Sequence, residues 1–307
     1  NNTSLLLKNH FQKNKVVEEK TDKMMNDVLN AIESVQKLEN KYIEIIESDG
    51  LTMGTGGITS TDDVSITLTL GALSSSLQTI TGDDVAVSLL DAAANDIDIL
   101  TNANSVTAAA ANGNIIIENV GSFSVGDDGI LADDGTPGDA VFSDVTLKST
   151  GGSIGAGAGT VTANVLTADA DGGIALTTTV SDLTALALAG DITIAQSNVD
   201  LSVTSAIVSG SVSISSEDAQ MDVFVVQAGS SGDVTLTTTG VAASTGFASD
   251  MTLAESSVIA GGTATLTSAG DMTGDLGLEA GDVVAETIIL ESNGETGISV
   301  SAETDRL

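Results

Sequence analysis

The chain has 307 residues, of which 41% are hydrophobic and only 2% aromatic, and its formal net charge at pH 7 is −34. This charge argues against nucleic-acid binding, because Lys and Arg must neutralise the phosphates. The absence of Cys excludes disulfides and zinc–thiolate sites. No apolar run reaches the roughly 20 residues that a transmembrane helix needs.

The charge is distributed unevenly along the chain. The first 48 residues carry seven Lys and eight carboxylates, whereas the remainder carries 35 acidic residues and only Lys148 and Arg306 as basic ones. We therefore divide the chain into an opening segment, residues 1–49, and an acidic body, residues 50–307. Such a polyanionic body favours contact with solvent, with cations or with copies of itself once the charge is screened.

The opening segment shows apolar residues at steps of three and four, without Gly or Pro, over residues 4–47. This pattern predicts one long amphipathic α-helix in front of the body. The apolar stripe needs a partner, which is either the chain's own body or another subunit in coiled-coil packing. Its main members are Val17, Met24, Val28, Ile32, Val35, Leu38, Tyr42 and Ile45.

In the body the apolar period changes to two, and short runs of the form Gly-Asp-apolar-x-apolar recur. Successive runs at Ile192, Val212 and Val234 are 20 and 22 residues apart. A repeat of this length predicts a mainly β fold, a parallel β-helix (β-solenoid) with one coil per repeat. The alternative is a series of tandem β-sandwich domains, which also have strands at short, regular spacing. For the solenoid we expect one core in which these residues stack in register: Ile192, Ile194, Val212, Ile214, Val234 and Leu236.

The segment 257–272, Ser-Val-Ile-Ala-Gly-Gly-Thr-Ala-Thr-Leu-Thr-Ser-Ala-Gly-Asp-Met, resembles the haemagglutinin-type repeat of filamentous-haemagglutinin-like exoproteins. The segment 190–216 is similar, and the resemblance extends over about residues 170–300. It implies a right-handed parallel β-helix on a bacterial surface, used for adhesion and filament formation. The acidic, Cys-free composition, rich in Thr, Ala and Gly, also resembles that of surface-layer proteins.

Asp residues next to Gly are the main chemical signal of the body. The stretch 126–139 places five of them in one predicted loop. Hard cations such as Ca²⁺ bind carboxylate and carbonyl oxygens supplied by flexible turns. The sequence therefore predicts either a Ca²⁺ site or solvated turn residues at Asp127, Asp128, Asp133, Asp134 and Asp139.

No catalytic residue is predicted. His10 is the only His, so a site with several His ligands is excluded, and we interpret it as a surface residue. Paired carboxylates also occur in glycosidases, but the body offers only Lys148 before Arg306 and almost no aromatic residues to bind a sugar. The Gly-rich stretch 151–159 lacks the Lys of a phosphate-binding loop, which favours a turn or a tightly stacked coil.

These features together favour an extracellular or cell-surface structural protein without catalytic activity. We expect a subunit that assembles with copies of itself into a surface layer, a sheath or a filament. The alternative is an adhesin or fibre segment that binds a host surface or a glycan. A carbohydrate-active enzyme is the least favoured function.

Overall fold

The structure, a computed structural model, describes residues 42–48, 51–53, 56–71, 73–91, 95–133, 142–155, 157–241, 246, 248–274 and 282–304. Within these ranges all regular elements are β-strands, and most of them alternate buried and more exposed side chains. The strands are β1 (Tyr42–Glu47), β2 (Leu51–Thr52), β3 (Ile58–Thr59), β4 (Asp63–Leu68), β5 (Leu73–Thr81), β6 (Asp84–Leu89), β7 (Ile97–Asn102), β8 (Ser105–Ala110), β9 (Ile115–Val120), β10 (Phe123–Ala132), β11 (Val145–Thr150), β12 (Ile154–Gly155), β13 (Thr160–Ala170), β14 (Ile174–Ala187), β15 (Ile192–Ser197), β16 (Leu201–Val208), β17 (Val212–Glu217), β18 (Met221–Val223), β19 (Val226–Gln227), β20 (Val234–Thr239), β21 (Met251–Leu253), β22 (Val258–Ile259), β23 (Thr263–Ser268), β24 (Met272–Gly274), β25 (Val283–Ala285), β26 (Thr287–Ser292), β27 (Ile298–Ser299) and β28 (Ala302–Thr304).

These strands stack in parallel as a β-solenoid of about 11 turns. One row, here called face A, runs through β1, β4, β6, β8, β10, β13, β14, β15, β17, β20, β23 and β26. The second row, face B, runs through β5, β7, β9, β11, β13, β14 and β16. After β16 face B splits at a corner into pairs of short strands, which end with β27 and β28.

The core predicted from the repeats is confirmed. The six residues are at most 1% exposed and belong to one continuous apolar cluster. They pair along two columns, Ile192–Val212–Val234 and Ile194–Ile214–Leu236. This stacking excludes separate tandem sandwiches for the described part of the body.

The predicted N-terminal helix is wrong wherever the structure describes that segment. Tyr42–Glu47 form β1, which pairs in parallel with β4. Ile43 and Ile45 pack against the core, while Glu44 and Ile46 are exposed, so the period is two rather than 3.6. Tyr and Ile also favour strands. Residues 1–41 lie outside the described ranges, and the division at residues 49 and 50 stays a prediction, although β1 already belongs to the solenoid.

Two coils carry an insertion at the corner where face A ends. The first insertion is closed by an antiparallel bridge between Asp133 and Phe142, the second by one between Val241 and Ala248. The insertions follow β10 and β20 directly. They lengthen the coil without interrupting the stack, because β13 continues on β10 and β23 on β20.

Candidate functional site

The Asp residues of the recurring motif connect successive coils. Oδ1 of Asp191 accepts a hydrogen bond from the backbone N–H of Ser211 at 2.7 Å, and Oδ1 of Asp233 accepts one from Thr263 at 2.7 Å. Charge-assisted bonds of this kind are stronger than neutral ones. The motif therefore stabilises the stack, in addition to exposing negative charge. Asp96, Asp200, Asp250, Asp271 and Asp282 make equivalent bonds.

The Gly of the motif is required because the coils approach closely at the turn. Gly190 has a positive φ of 82°, which L side chains rarely adopt. A Cβ at Gly210 would overlap the carbonyl oxygen of Gly190 and the carboxylate of Asp191. The Gly and the Asp thus form one unit, in which the small residue lets the next coil come within hydrogen-bonding distance.

Two of the predicted metal ligands, Asp127 and Asp128, lie together in a bulge of β10. The register between β10 and β8 shifts between Val125 and Ile130, so that both side chains are exposed. They border a groove of about 380 Å³ on face A, and Asp84 of β6 borders the same groove. We name this feature the acidic groove; it is defined by Asp84, Asp127 and Asp128.

The Gly-rich stretch forms part of the floor of the acidic groove. A Cβ at Gly157 would overlap the carbonyl oxygen of Val125, and one at Gly159 would overlap that of Gly126. The stretch is therefore a tightly stacked coil, one of the two structures that the sequence favoured. Because no side chain separates the coils here, the bulge of β10 can lie directly on its neighbour.

The remaining predicted ligands do not join this groove in the described structure. Asp133 takes part in the bridge with Phe142 that closes the first insertion, and its backbone carbonyl accepts the hydroxyl of Ser143 at 3.0 Å. Asp134 and Asp139 lie outside the described residues. Among the residues that the structure describes, no group of three or more His, Cys, Asp or Glu is arranged to hold a metal ion.

Asp84 was missed as a neighbour of Asp127 and Asp128 because it lies two coils earlier. The available signal was the register of the repeats. Asp84 pairs with Ser105, and Ser105 pairs with Ser124, three residues before Asp127. Counting coils backwards along the chain would have found this neighbour, whereas local sequence did not.

A second charged cluster lies on the outer surface of face B. Nζ of Lys148 lies 3.4 Å from Oε1 of Glu118, and both side chains are about half exposed, at 44% and 49%. Burial raises the pKa of nearby Asp98, and the negative charges of Glu118 and Asp96 raise it further. This face therefore holds carboxylates close together, with Lys148 as the one basic residue in the described part of the chain.

A buried polar column lies inside the solenoid at the end of face A. Gln196 is 2% exposed. Its Oε1 accepts the Thr178 hydroxyl at 2.7 Å and the Val180 N–H at 3.2 Å, and its Nε2 donates to the carbonyls of Val180 at 2.8 Å and Val199 at 3.0 Å. Such bonds satisfy backbone groups that turn away from the ladder at the corner. Ser216, Thr238 and Ser268 continue the column.

An apolar groove lies on face B beyond the split of its strands. Its volume is about 850 Å³, and it crosses several neighbouring coils. Outward-facing Ile259 is 39% exposed there, although the outer surface of a solenoid is usually polar. The residues that define this apolar groove include Val208, Gln227, Ile259, Val284 and Glu286.

Comparison with protein-family models, with curated proteins and with solved structures gives no match. The similarity to haemagglutinin-type repeats and surface-layer proteins is therefore a resemblance of sequence pattern and of solenoid fold, without a family assignment. Within the described ranges, no helix has the length and apolar character needed to cross a membrane.

Proposed function

We propose that the chain is an extracellular structural protein without catalytic activity, a subunit that assembles with copies of itself into a surface layer, a sheath or a filament. One observation carries this proposal: the parallel ladder continues without a break from β1 to β26. A continuous ladder makes a stiff rod, since each coil buries its apolar side only against its neighbours.

The partners of the acidic side chains support a structural role over a catalytic one. Carboxylates such as Asp191 and Asp233 accept backbone N–H groups of the next coil, so they contribute to cohesion. Lys148, the basic residue that an enzyme acting on acidic sugars would need, is engaged by Glu118. A carbohydrate-active enzyme therefore remains the least supported alternative.

The Ca²⁺ requirement stays a prediction. The acidic groove brings together three carboxylates from two strands, and Ca²⁺ prefers six to eight oxygen ligands from such groups and from carbonyls. A chelator should lower the thermal unfolding temperature or dissociate the assembly, and Asp127→Asn with Asp133→Asn should have the same effect. Unchanged unfolding and unchanged particle size in excess EDTA would remove Ca²⁺ from the account.

Sedimentation velocity of the purified chain tests the proposed function. We expect species much larger than the 30.5 kDa chain, increasing with protein concentration and with salt, because salt screens the repulsion between subunits. Mg²⁺ and NaCl at matched ionic strength are the controls for Ca²⁺. A monomer at every concentration and salt would contradict the proposal.

An adhesin or fibre segment is the second candidate, and the apolar groove favours it. Exposed apolar patches often mark binding sites, and this one lies on the side of the rod, where stacked ends would leave it open. Ile259→Asp should then abolish binding of the purified chain to a glycan array or to host-cell surfaces. Equal binding by the variant, or no binding by the wild type, would count against this function.

A further inference from the structure

The two ends of the described solenoid have the same strand layout. The first coil consists of β1, with six residues, and the short strands β2 and β3; the last coil consists of β26, with six residues, and the short strands β27 and β28. Among the described residues each of these strands pairs on one side only, β1 with β4 and β26 with β23, for example. Unpaired strand edges of this kind are templates for the addition of another strand.

Both ends also present apolar residues that continue the core columns. In the interior such residues are at most a few per cent exposed, whereas Ile298 of the last coil is 43% exposed although it pairs with buried Met272. The corresponding core-facing residues are Ile43, Ile45, Leu51 and Ile58 at the first coil, and Ile288, Leu290, Ile298 and Ala302 at the last.

The hydrogen-bonding groups of the two edges are complementary. In the interior of face A, core-facing residues donate to the following coil: Ile192 N–H to Ser211 at 2.9 Å, and Val212 N–H to Asp233 at 2.9 Å. Ile288 continues this column, so its N–H points away from β23. At the other end the carbonyl of Glu47 bonds to Thr69 in the second coil, which leaves the alternate residues Tyr42 and Glu44 to face outward along the axis.

We propose that β26, β27 and β28 of one molecule bind β1, β2 and β3 of a second copy, with Ile288 on Ile43 and Leu290 on Ile45. This inference rests on the proposed self-assembly and names the surface that produces it. The new interface repeats the contact between neighbouring coils. Because it joins two different ends, it is heterologous and does not close on itself, so it generates a filament.

The charges on the outer side of this interface are compatible with the pairing. In the proposed register Glu44 lies opposite Ile289, and Glu291 lies opposite Ile46. In the same way Glu303 of β28 lies opposite Thr59 of β3. No two of these carboxylates meet directly, which matters in a chain with a net charge of −34, because like charges opposite each other destabilise a ladder.

A charge swap between the two ends tests the interface. Ile46 is 69% exposed and Glu291 is exposed as well, so both can be changed with little effect on the core. Ile46→Glu should weaken association about two- to five-fold, since it places two carboxylates opposite each other. Adding Glu291→Lys should restore it. Because about 11 turns of roughly 4.8 Å separate the two residues within one molecule, restoration requires two copies.

Leu188→Glu is the matched control, because Leu188 is 61% exposed at a corner away from both ends, and it should leave association unchanged. Association is measured by sedimentation velocity of the full chain, and folding of each variant by circular dichroism. If the wild type assembles and Ile46→Glu behaves like the control, the end-to-end interface is wrong although self-assembly stands. If Ile46→Glu changes only the unfolding temperature, another part of the chain covers β1, and the interface is again wrong. A wild type that stays monomeric contradicts the interface and the proposed function together.

Discussion

Replacement of Gln196 by Leu should destabilise the solenoid from inside. The substitution removes four hydrogen bonds and leaves the Thr178 hydroxyl, the Val180 N–H and the carbonyls of Val180 and Val199 without their buried partner. A buried group that loses its partner costs about 1 kcal/mol or more. The four groups together therefore cost about 4 kcal/mol, and the more favourable burial of Leu offsets about 1 kcal/mol of this. The expected loss is about 3 kcal/mol.

Urea-induced unfolding followed by circular dichroism measures this effect. Gln227→Leu is the control, because Gln227 is exposed on β19 and its replacement should change stability by less than about 0.5 kcal/mol. If the two variants unfold at the same urea concentration, the polar column does not stabilise the corners, and our account of how the strands end is wrong.

Four further outcomes follow from the same structure. Val212→Asp should cost about 3–5 kcal/mol in urea unfolding, because it places a charge in a column that is 1% exposed; a loss below about 1 kcal/mol would contradict the stacked core. Gly210→Ala should cost about 1–3 kcal/mol through overlap with Gly190, whereas Gly155→Ala, where the nearest atom lies at 3.5 Å, should be neutral in the same assay; equal effects would contradict the close approach. Asp98→Asn should raise the unfolding temperature at neutral pH, since the pKa of Asp98 is raised and its charged form opposes folding; the gain should disappear at acid pH, where the wild-type carboxyl is neutral, and a pH-independent gain would contradict this cause. Asp271 has a lowered pKa because of its hydrogen bonds with Thr296, so it stabilises the fold above the ordinary Asp pKa; Asp271→Asn should reduce the dependence of the unfolding temperature on acid pH, and an unchanged pH profile would contradict that contribution.

The body was predictable because its local and global patterns agree. In strands such as β15 and β17, the residues that alternate in sequence are the ones that face the core, and the step of about 20 residues between them is one coil. Gln196 has the same parity as Ile192 and Ile194, so the sequence already indicated an inward position. What it did not indicate was that a buried Gln is satisfied there, because its partners at Val180 and Val199 belong to corners whose geometry depends on the stacked coils.

The N-terminal helix was predicted wrongly over residues 42–47 because one short segment fits two periods. Tyr42, Ile45 and Ile46 fit a helical stripe, whereas Ile43 and Ile45 with Glu44 between them fit a strand. Pairing with β4 decided between them, since tertiary packing overrides weak local preference. The acidic groove was predictable only in part, because the bulge that exposes Asp127 and Asp128 depends on the close approach of Gly157 and Gly159.

Cryo-electron microscopy of the purified chain at high protein concentration and physiological salt tests the central claim most directly. The account predicts filaments in which the strands lie across the long axis, with a repeat of about 4.8 Å along that axis that continues through the junction between subunits. Separate particles at every concentration, or filaments whose strands run along the axis or break register between subunits, would contradict the claim that this solenoid is a self-assembling structural subunit.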